Sequence, residues 1–336
     1  MSETLLDIQN LRTSFRIDGE YYAAVDGVDL TINKNEVFAV VGESGSGKSA
    51  MALSVMGLHN KNYTRMDGQI LFNNQNLLNL SEGELNKVRG KDISMIFQDP
   101  LSALNPLMQV GAQIEEGMLY HTNFDKNARK ERAIQLLNEV GMTNPELTYR
   151  QLPHELSGGM RQRAMIALSM AAKPSLIIAD EPTTALDVTI QAQILDLMLR
   201  LQDETEVSII IITHDLGVVA EIADRVAVMY AGQIVEVGSV HEIFKQPQHP
   251  YTRSLLHAIP SLGDAGEYGK RLHSIQDNVP DLVNLPRSGC RFAARIPWVD
   301  ASEHEENPTY HTVDSTDGSA GHKVLCSCYK NFKIGG

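Results

Sequence analysis

Apolar positions alternate with polar ones near the start of the chain and then merge into unbroken runs. Leu6-Asp7-Ile8 and Val28-Asp29-Leu30-Thr31-Ile32 alternate with period two, which predicts strands covered on one face. Val37-Phe38-Ala39-Val40-Val41, Leu176-Ile177-Ile178-Ala179 and Val207-Ser208-Ile209-Ile210-Ile211-Ile212-Thr213 are continuous, as expected of strands covered on both faces. Ile93-Ser94-Met95-Ile96-Phe97 is a further strand-like run. Helical spacing lies between them. Ala133, Leu136, Leu137 and Val140 fall at i, i+3, i+4 and i+7, and Gly141 is placed to end that helix. Ile190, Ile194, Leu197, Met198 and Leu201 mark one face of a second helix, and Met160, Ala164, Ala167, Leu168 and Ala171 the apolar positions of a third. Strand, helix, strand in this order predicts a parallel sheet with right-handed crossovers. After about residue 240 the periodicity fades and prolines cluster (Pro247, Pro250, Pro260, Pro280, Pro286, Pro297, Pro308), so 241–336 reads as an appendage on a core spanning 1–240.

The first buried run leads directly into Gly42-Glu43-Ser44-Gly45-Ser46-Gly47-Lys48-Ser49, and an apolar stretch from Ala50 to Leu58 continues as a helix. This strand–glycine-rich loop–helix order is a phosphate cradle. The glycines let backbone amides approach an anion, and the helix start adds unpaired N–H groups and a positive dipole end. Lys48 can reach β- and γ-phosphates, and Ser49 can place its hydroxyl on Mg²⁺. Asp180 and Glu181 follow a second buried run. An aspartate at such a strand end can hold Mg²⁺, and the adjacent glutamate can act as general base on a water. His214 ends a third run and Gln98 a fourth, which makes them candidates for the γ-phosphate and for Mg²⁺ or the water. Leu156-Ser157-Gly158-Gly159-Met160-Arg161-Gln162-Arg163 opens a helix, so Ser157, Gly158 and Gly159 form a second anion site. One nucleotide does not readily occupy both sites in one fold. A head-to-tail dimer, with Ser157 of one subunit closing on the nucleotide of the other, resolves this.

Size and charge narrow the class. At 336 residues the chain has room for two domains, and 43% apolar with 21% charged residues is a globular composition. No run approaches the length of a bilayer span, and the N-terminus lacks a basic-then-apolar leader order, so a cytoplasmic protein is expected. The net charge of −13, from 29 basic and 42 acidic residues, argues against nucleic acid as a partner.

These motifs together resemble the ATPase subunits of ATP-binding cassette transporters. The resemblance covers residues 5–240: Gly42–Ser49 matches Walker A, Gln98 the Q-loop, Leu156–Gln162 the signature, Leu176–Glu181 Walker B with the catalytic glutamate, Ala185-Leu186-Asp187 the D-loop and His214 the switch histidine. It implies a P-loop NTPase cassette: an α/β fold with an antiparallel β subdomain, a parallel-sheet core, a helical subdomain near 99–170 touching membrane partners, and an irregular C-terminal extension. It also implies two ATP molecules sandwiched at a dimer interface with Mg²⁺, and Ser157, Gly158, Gly159, Met160 and Gln162 facing the partner's nucleotide. Gln98–Pro106, Asp187–Gln193, His249–Arg253 and Gly289–Arg295 are similar to the oligopeptide/dipeptide permease group, and within it to its D-type ATPases. Such a subunit pairs with a homologous F-type ATPase, two membrane permeases and, indirectly, an external peptide-binding protein, at the cytoplasmic face of the membrane. A nickel or other small-solute importer of the same group is the alternative, and a soluble non-transport cassette ATPase the distant one.

Two features stay open at this level. Relatives with four tail cysteines are thought to hold an iron–sulfur cluster. Here Cys290, Cys326 and Cys328 are present, but Ile296 stands where a second cysteine is expected. Three thiolates do not complete a four-cysteine set. The expectation is a packed remnant with free cysteines, against a three-thiolate site completed by His304 or His322. The family also stacks an aromatic on adenine, and among Phe15, Tyr21 and Tyr22 the reading leans to Tyr22.

Overall fold

A computed structural model describes residues 3–184, 186–258, 278–313 and 321–333; Ala185 and Pro260, both named above, lie outside them. The alternating segments form β1 (Thr4–Ile17) and β2 (Glu20–Asn33). With β4 (Thr64–Phe72) and β5 (Gln75–Asn76) they make an antiparallel sheet in the order β2-β1-β4-β5. Its inward residues, among them Leu6, Ile8, Leu11, Val28, Leu30 and Ile32, are buried and pack on α1 (Lys48–Val55). Period two therefore translates into one dry face.

The continuous runs form β3 (Val37–Val41), β6 (Ile93–Ile96), β7 (Leu176–Asp180) and β8 (Ser208–Thr213), and every residue in them is buried. With β9 (Arg225–Tyr230) they pair in parallel in the order β9-β3-β8-β7-β6. All five carboxyl ends consequently face one edge of the sheet. Phe97 leaves the strand predicted for it: β6 stops at Ile96 and Phe97 is exposed.

Between β6 and β7 the chain builds a helical lobe from α3 (Pro100–Ala103), α4 (Val110–His121), α5 (Lys126–Glu139), α6 (Pro145–Arg150) and α7 (Gly158–Ser169), counting α2 (Glu82–Val88) before it. Gly141 adopts φ +78 two residues past α5, as a helix-ending glycine does. Ala164 and Ala167 on α7, and Ala171 just past its end, are buried as their spacing implies, but Leu168 is on the surface and Met165 and Ile166 fill the core. That helix is wedged between the lobe and the sheet, sharing one core with Ile177 of β7 and Ile209 of β8. It therefore buries more than a single stripe. The face Ile194, Leu197, Met198 and Leu201 of α8 (Val188–Thr205) closes the same core. No helix among the described residues is long and apolar enough to cross a membrane.

The segment after residue 240 is joined to the sheet. β10 (Gln233–Ser239) runs antiparallel to β9, and the tail hairpin β11 (Tyr310–Thr312) and β12 (Lys323–Leu325) extends the sheet through β12. After α9 (Leu216–Ile222) and α10 (Val240–Lys245), α11 (Pro250–His257) supplies Tyr251, which is fully buried. Tyr251 meets Tyr230 of β9 at 4.7 Å and Phe292 of the tail at 5.5 Å between ring centroids, and Tyr230 meets Phe292 at 5.2 Å. Glu236 of β10 is buried but satisfied: it accepts bonds from the Gln248 and His249 amides and from His322 Nε2. The tail thus shares a core with the cassette rather than hanging from it. Phe292→Ala should lower global stability by roughly 3–5 kcal/mol and shift a single thermal transition. A mutant whose main transition is unmoved would show instead that the tail unfolds on its own.

Candidate functional site

The polar residues singled out along the chain converge at the carboxyl edge of the parallel strands. Between β3 and α1 the loop 42–49 turns through left-handed backbone at Gly45 and Gly47. At Gly47 no other residue fits, because a Cβ would lie 2.5 Å from the Ala24 carbonyl oxygen. Lys48 is buried and its Nζ donates to the carbonyls of Gly42 at 2.7 Å and Glu43 at 2.9 Å, curling the loop around the ammonium group. Ser46 is buried, while Ser44, Gly45 and Ser49 lie on the exposed side. Ser49 Oγ donates to Asp180 Oδ1 at 3.1 Å, linking the loop to the end of β7.

Glu181 follows in a left-handed conformation, φ +47. Such a backbone costs a non-glycine residue roughly 1–3 kcal/mol. The amide is held by the Ile212 carbonyl of β8 at 2.8 Å. The carboxylate accepts from Gln98 Nε2 at 2.9 Å, from Thr184 Oγ1 at 2.8 Å, and meets His214 Nδ1 at 3.3 Å. Residues from the ends of β6, β7 and β8 are thereby gathered on one carboxylate, with His214 left largely open to solvent. Asp215, next to His214, caps α9 and accepts from Gln191 of α8, which holds the strand end in place.

Electrostatics matches the geometry. Burial lowers the Lys48 pKa from its ordinary value, opposed by Glu181, Asp180 and Glu43. Burial raises that of Asp180, opposed by the Ser49 hydrogen bond and added to by Glu181. Two carboxylates and one ammonium at a half-dry edge suit a cation and an anion bound together.

The second anion site sits apart on the helical lobe. Ser157 is exposed and its Oγ accepts from the Met160 amide at 3.3 Å as the N-cap of α7. Gly158 is exposed, and Gly159 packs so tightly that a Cβ would lie 2.9 Å from Ile190 Cγ2. Asp187 caps α8 through the Ile190 amide. Gln162 differs from expectation. It is 2% exposed, inside the lobe, because one turn into α7 its side chain faces the core rather than the surface carrying Ser157. Met160 is likewise half-buried against that core.

Glu43 also departs from the reading as a nucleotide contact. Its carboxylate takes both arms of Arg295 at 2.7 and 3.2 Å, and its amide donates to the Tyr251 hydroxyl at 2.8 Å. Glu43 therefore turns toward the tail, and Arg295 and Tyr251 brace the phosphate loop from behind. Gly232, in the turn between β9 and β10, adds a bond from its amide to the Ser46 carbonyl at 2.8 Å. Arg291 reaches the Ala231 carbonyl and Asp26. Sequence reasoning missed these braces; the only signal is an arginine-bearing segment, Gly289–Arg295, with no periodic role of its own.

Of the aromatics, Phe15 meets His59 edge-on, Tyr21 carries the Arg65 guanidinium 3.8 Å above its ring, and Tyr22 lies under Arg287 at 5.5 Å. Tyr22 is two residues before Ala24, whose carbonyl abuts Gly47. In the tail, Cys290, Cys326 and Cys328 gather with His304, whereas His322 is taken by Glu236. Ile296 is buried in the apolar core beneath them. A fourth thiolate is absent from this set, so the residues do not fit a four-cysteine iron–sulfur cluster.

Comparison with known proteins agrees with this architecture. Residues 25–184 match the ABC transporter family, and 235–301 match the oligopeptide/dipeptide transporter C-terminal region. The chain is 48% identical to the oligopeptide transport ATP-binding protein OppD of Lactococcus lactis subsp. cremoris over 333 residues, covering 99% of this chain and 96% of that protein. It is 51% identical to the dipeptide transport ATP-binding protein DppD of Bacillus subtilis over 296 residues, 88% of this chain and 87% of the relative. Among solved structures, the dimeric post-hydrolysis state of the ATP-binding cassette MJ0796 bound to ADP and phosphate matches with TM-score 0.63 and 27% identity, covering 70% of this chain and 99% of that one.

The brace yields a test independent of these likenesses. Arg295→Ala leaves Glu43 unpaired and loosens the loop, and should weaken nucleotide affinity about tenfold, or roughly 1.4 kcal/mol, by titration with a fluorescent ATP analogue. Unchanged affinity in a folded variant would mean the loop holds its shape without the tail.

Proposed function

The chain belongs to the ATPase subunits of ATP-binding cassette transporters, and we propose that it hydrolyses ATP as one half of a head-to-tail pair to drive import of oligopeptides or dipeptides through a membrane permease. The observation that carries the reading is the convergence of Gln98 and His214 on Glu181, beside Lys48, Ser49 and Asp180. In this reading Gly42, Ser44, Gly45, Ser46, Gly47 and Lys48 hold the phosphates, with Tyr22 against the adenine. Ser49 and Asp180, whose oxygens already lie 3.1 Å apart, and Gln98 are hard oxygen donors suited to Mg²⁺, which would neutralise phosphate charge. Glu181 takes the proton of the attacking water, and its strained backbone aims the carboxylate between Gln98 and His214. His214 orients the water or the γ-phosphate. Lys48, half-dried, stabilises charge that spreads over the transferring group.

One chain supplies half of each pocket. Ser157, Gly158 and Gly159 offer an exposed cap and bare backbone on a separate lobe, suited to the γ-phosphate held by a partner cassette, with Asp187 near the same interface. Closure is favoured because those contacts exist only in the closed pair; hydrolysis removes them and the pair reopens. The partner is a homologous F-type ATPase. The cassette occupies 1–240 with its helical subdomain at about 99–170, and 241–336 is the permease-type extension. Exposed Leu101 and Leu107, 59% and 88% accessible, lie at the start of the helical lobe directly after Gln98. They would dock on the permease at the cytoplasmic face, so that Gln98 couples nucleotide state to the membrane partners. The C-terminal region match supports peptide cargo, with an external binding protein presenting it.

The test is reconstitution of the full transporter in proteoliposomes. Glu181→Gln should slow ATP turnover roughly 10²–10⁴-fold while preserving ATP binding, and should abolish uptake of labelled peptide. Hydrolysis at the normal rate would remove Glu181 from the role. Acid should also raise the Mg²⁺ concentration needed for half-maximal turnover, starting above the usual aspartate range. Burial lifts Asp180 in that direction and protons compete with the cation. A Mg²⁺ requirement that stays flat as the medium is acidified would count against Asp180 as its ligand.

A further inference from the structure

We infer that Cys290, His304, Cys326 and Cys328 form a mononuclear Zn²⁺ site that staples three segments of the C-terminal extension together. The four ligand atoms lie within 4.8 Å of one another. Around one tetrahedral ion with Zn–S near 2.3 Å and Zn–N near 2.0–2.1 Å, neighbouring ligand atoms stand about 3.3–3.8 Å apart. The set needs only a slight inward adjustment to close on a single ion. A four-iron cage interposes its own atoms between the thiolates and spreads them further, so the close spacing argues in the same direction as the missing fourth cysteine.

Three further observations point to a ligand here. His304 Nδ1 is buried with no hydrogen-bond partner. An aromatic nitrogen in that position normally finds one or coordinates. Cys326 holds φ +71, a left-handed backbone that a side chain rarely adopts, and its Sγ accepts from the Glu305 amide at 3.5 Å. An amide donated to a sulfur is a support common around thiolate sites. Cys326 and Cys328 are buried, Cys290 is half-buried, and all three are free thiols despite their proximity. Three sulfurs and one imidazole favour zinc over magnesium, calcium or manganese, which prefer oxygen.

Binding is a proton exchange without redox chemistry. Each thiol releases its proton to solvent as its S–Zn bond forms, and neutral His304 donates a lone pair, leaving the centre with one net negative charge. The ion would tie the loop before Phe292, the turn after Glu303 and the end of β12 into one body. Two of those segments flank Arg291 and Arg295, which reach Asp26 and Glu43. The staple thus rests behind the phosphate loop without entering it, and the inference stands whether or not the nucleotide assignment is right.

The experiment is elemental analysis of untagged full-length protein, purified anaerobically, for zinc, iron and acid-labile sulfide, followed by Co²⁺ exchange. The expected result is about one zinc per chain, with no iron or sulfide. The Co²⁺ form should give intense visible bands of a tetrahedral site and a thiolate-to-metal charge-transfer band in the near ultraviolet. His304→Ala and Cys328→Ser should each lose most of the metal, and His304→Cys should keep it. Should the losing variants misfold, the wild-type Co²⁺ spectrum still decides the ligand set. Four irons with sulfide per chain, a disulfide among these cysteines, or metal-free protein with three freely alkylated thiols would each overturn the proposal.

Discussion

Burial of both faces of five parallel strands is the constraint from which the rest follows. β9, β3, β8, β7 and β6 are buried almost throughout and mainly apolar, with only small hydroxyls such as Ser94 between their ends, and leave little room for charged groups on either face. Ionisable groups can sit only where the strands end, and parallel pairing puts all those ends on one edge. Lys48, Asp180, Glu181, His214 and Gln98 are consequences of that edge. Their mutual distances are set by strand spacing rather than by any contact visible in the sequence.

The edge is electrostatically tense. A buried ammonium and a buried carboxyl are both pushed toward their neutral forms, and Glu181 keeps its aim only through a strained backbone held by Ile212. Strain of this kind persists where surrounding structure over-determines it. Here the over-determination comes from the sheet on one side and three hydrogen-bond partners on the other. A phosphate group brought to this edge meets partners already fixed, which is the preorganisation that charge stabilisation requires.

The tail changes the picture of the cassette as a self-sufficient core. Arg295 and Tyr251 hold Glu43, Gly232 holds Ser46, and the aromatic trio Tyr230, Tyr251 and Phe292 joins the two regions in one apolar core. A short, packed path of contacts therefore links the extension to the phosphate loop. The C-terminal region is thereby part of the mechanical support of the site.

Local pattern determined a great deal: the alternating and continuous strands, the glycine-rich loop with its helix, the acid pair at a strand end, the helix closed by Gly141 and the exposed cap at Ser157. Each depends on periodicity or on neighbours a few residues apart, which a linear chain displays directly. Tertiary structure alone decided the rest. Glu43 turned toward Arg295, 252 residues away; Gln162 turned inward because α7 is covered on more than one side; His304 joined the cysteines while His322 was claimed by Glu236. The segment after 240 lacks periodicity, so its attachment was invisible until β12 paired with β10. Contacts between distant segments depend on which surfaces the folded core leaves free, and that information exists only once the core has formed.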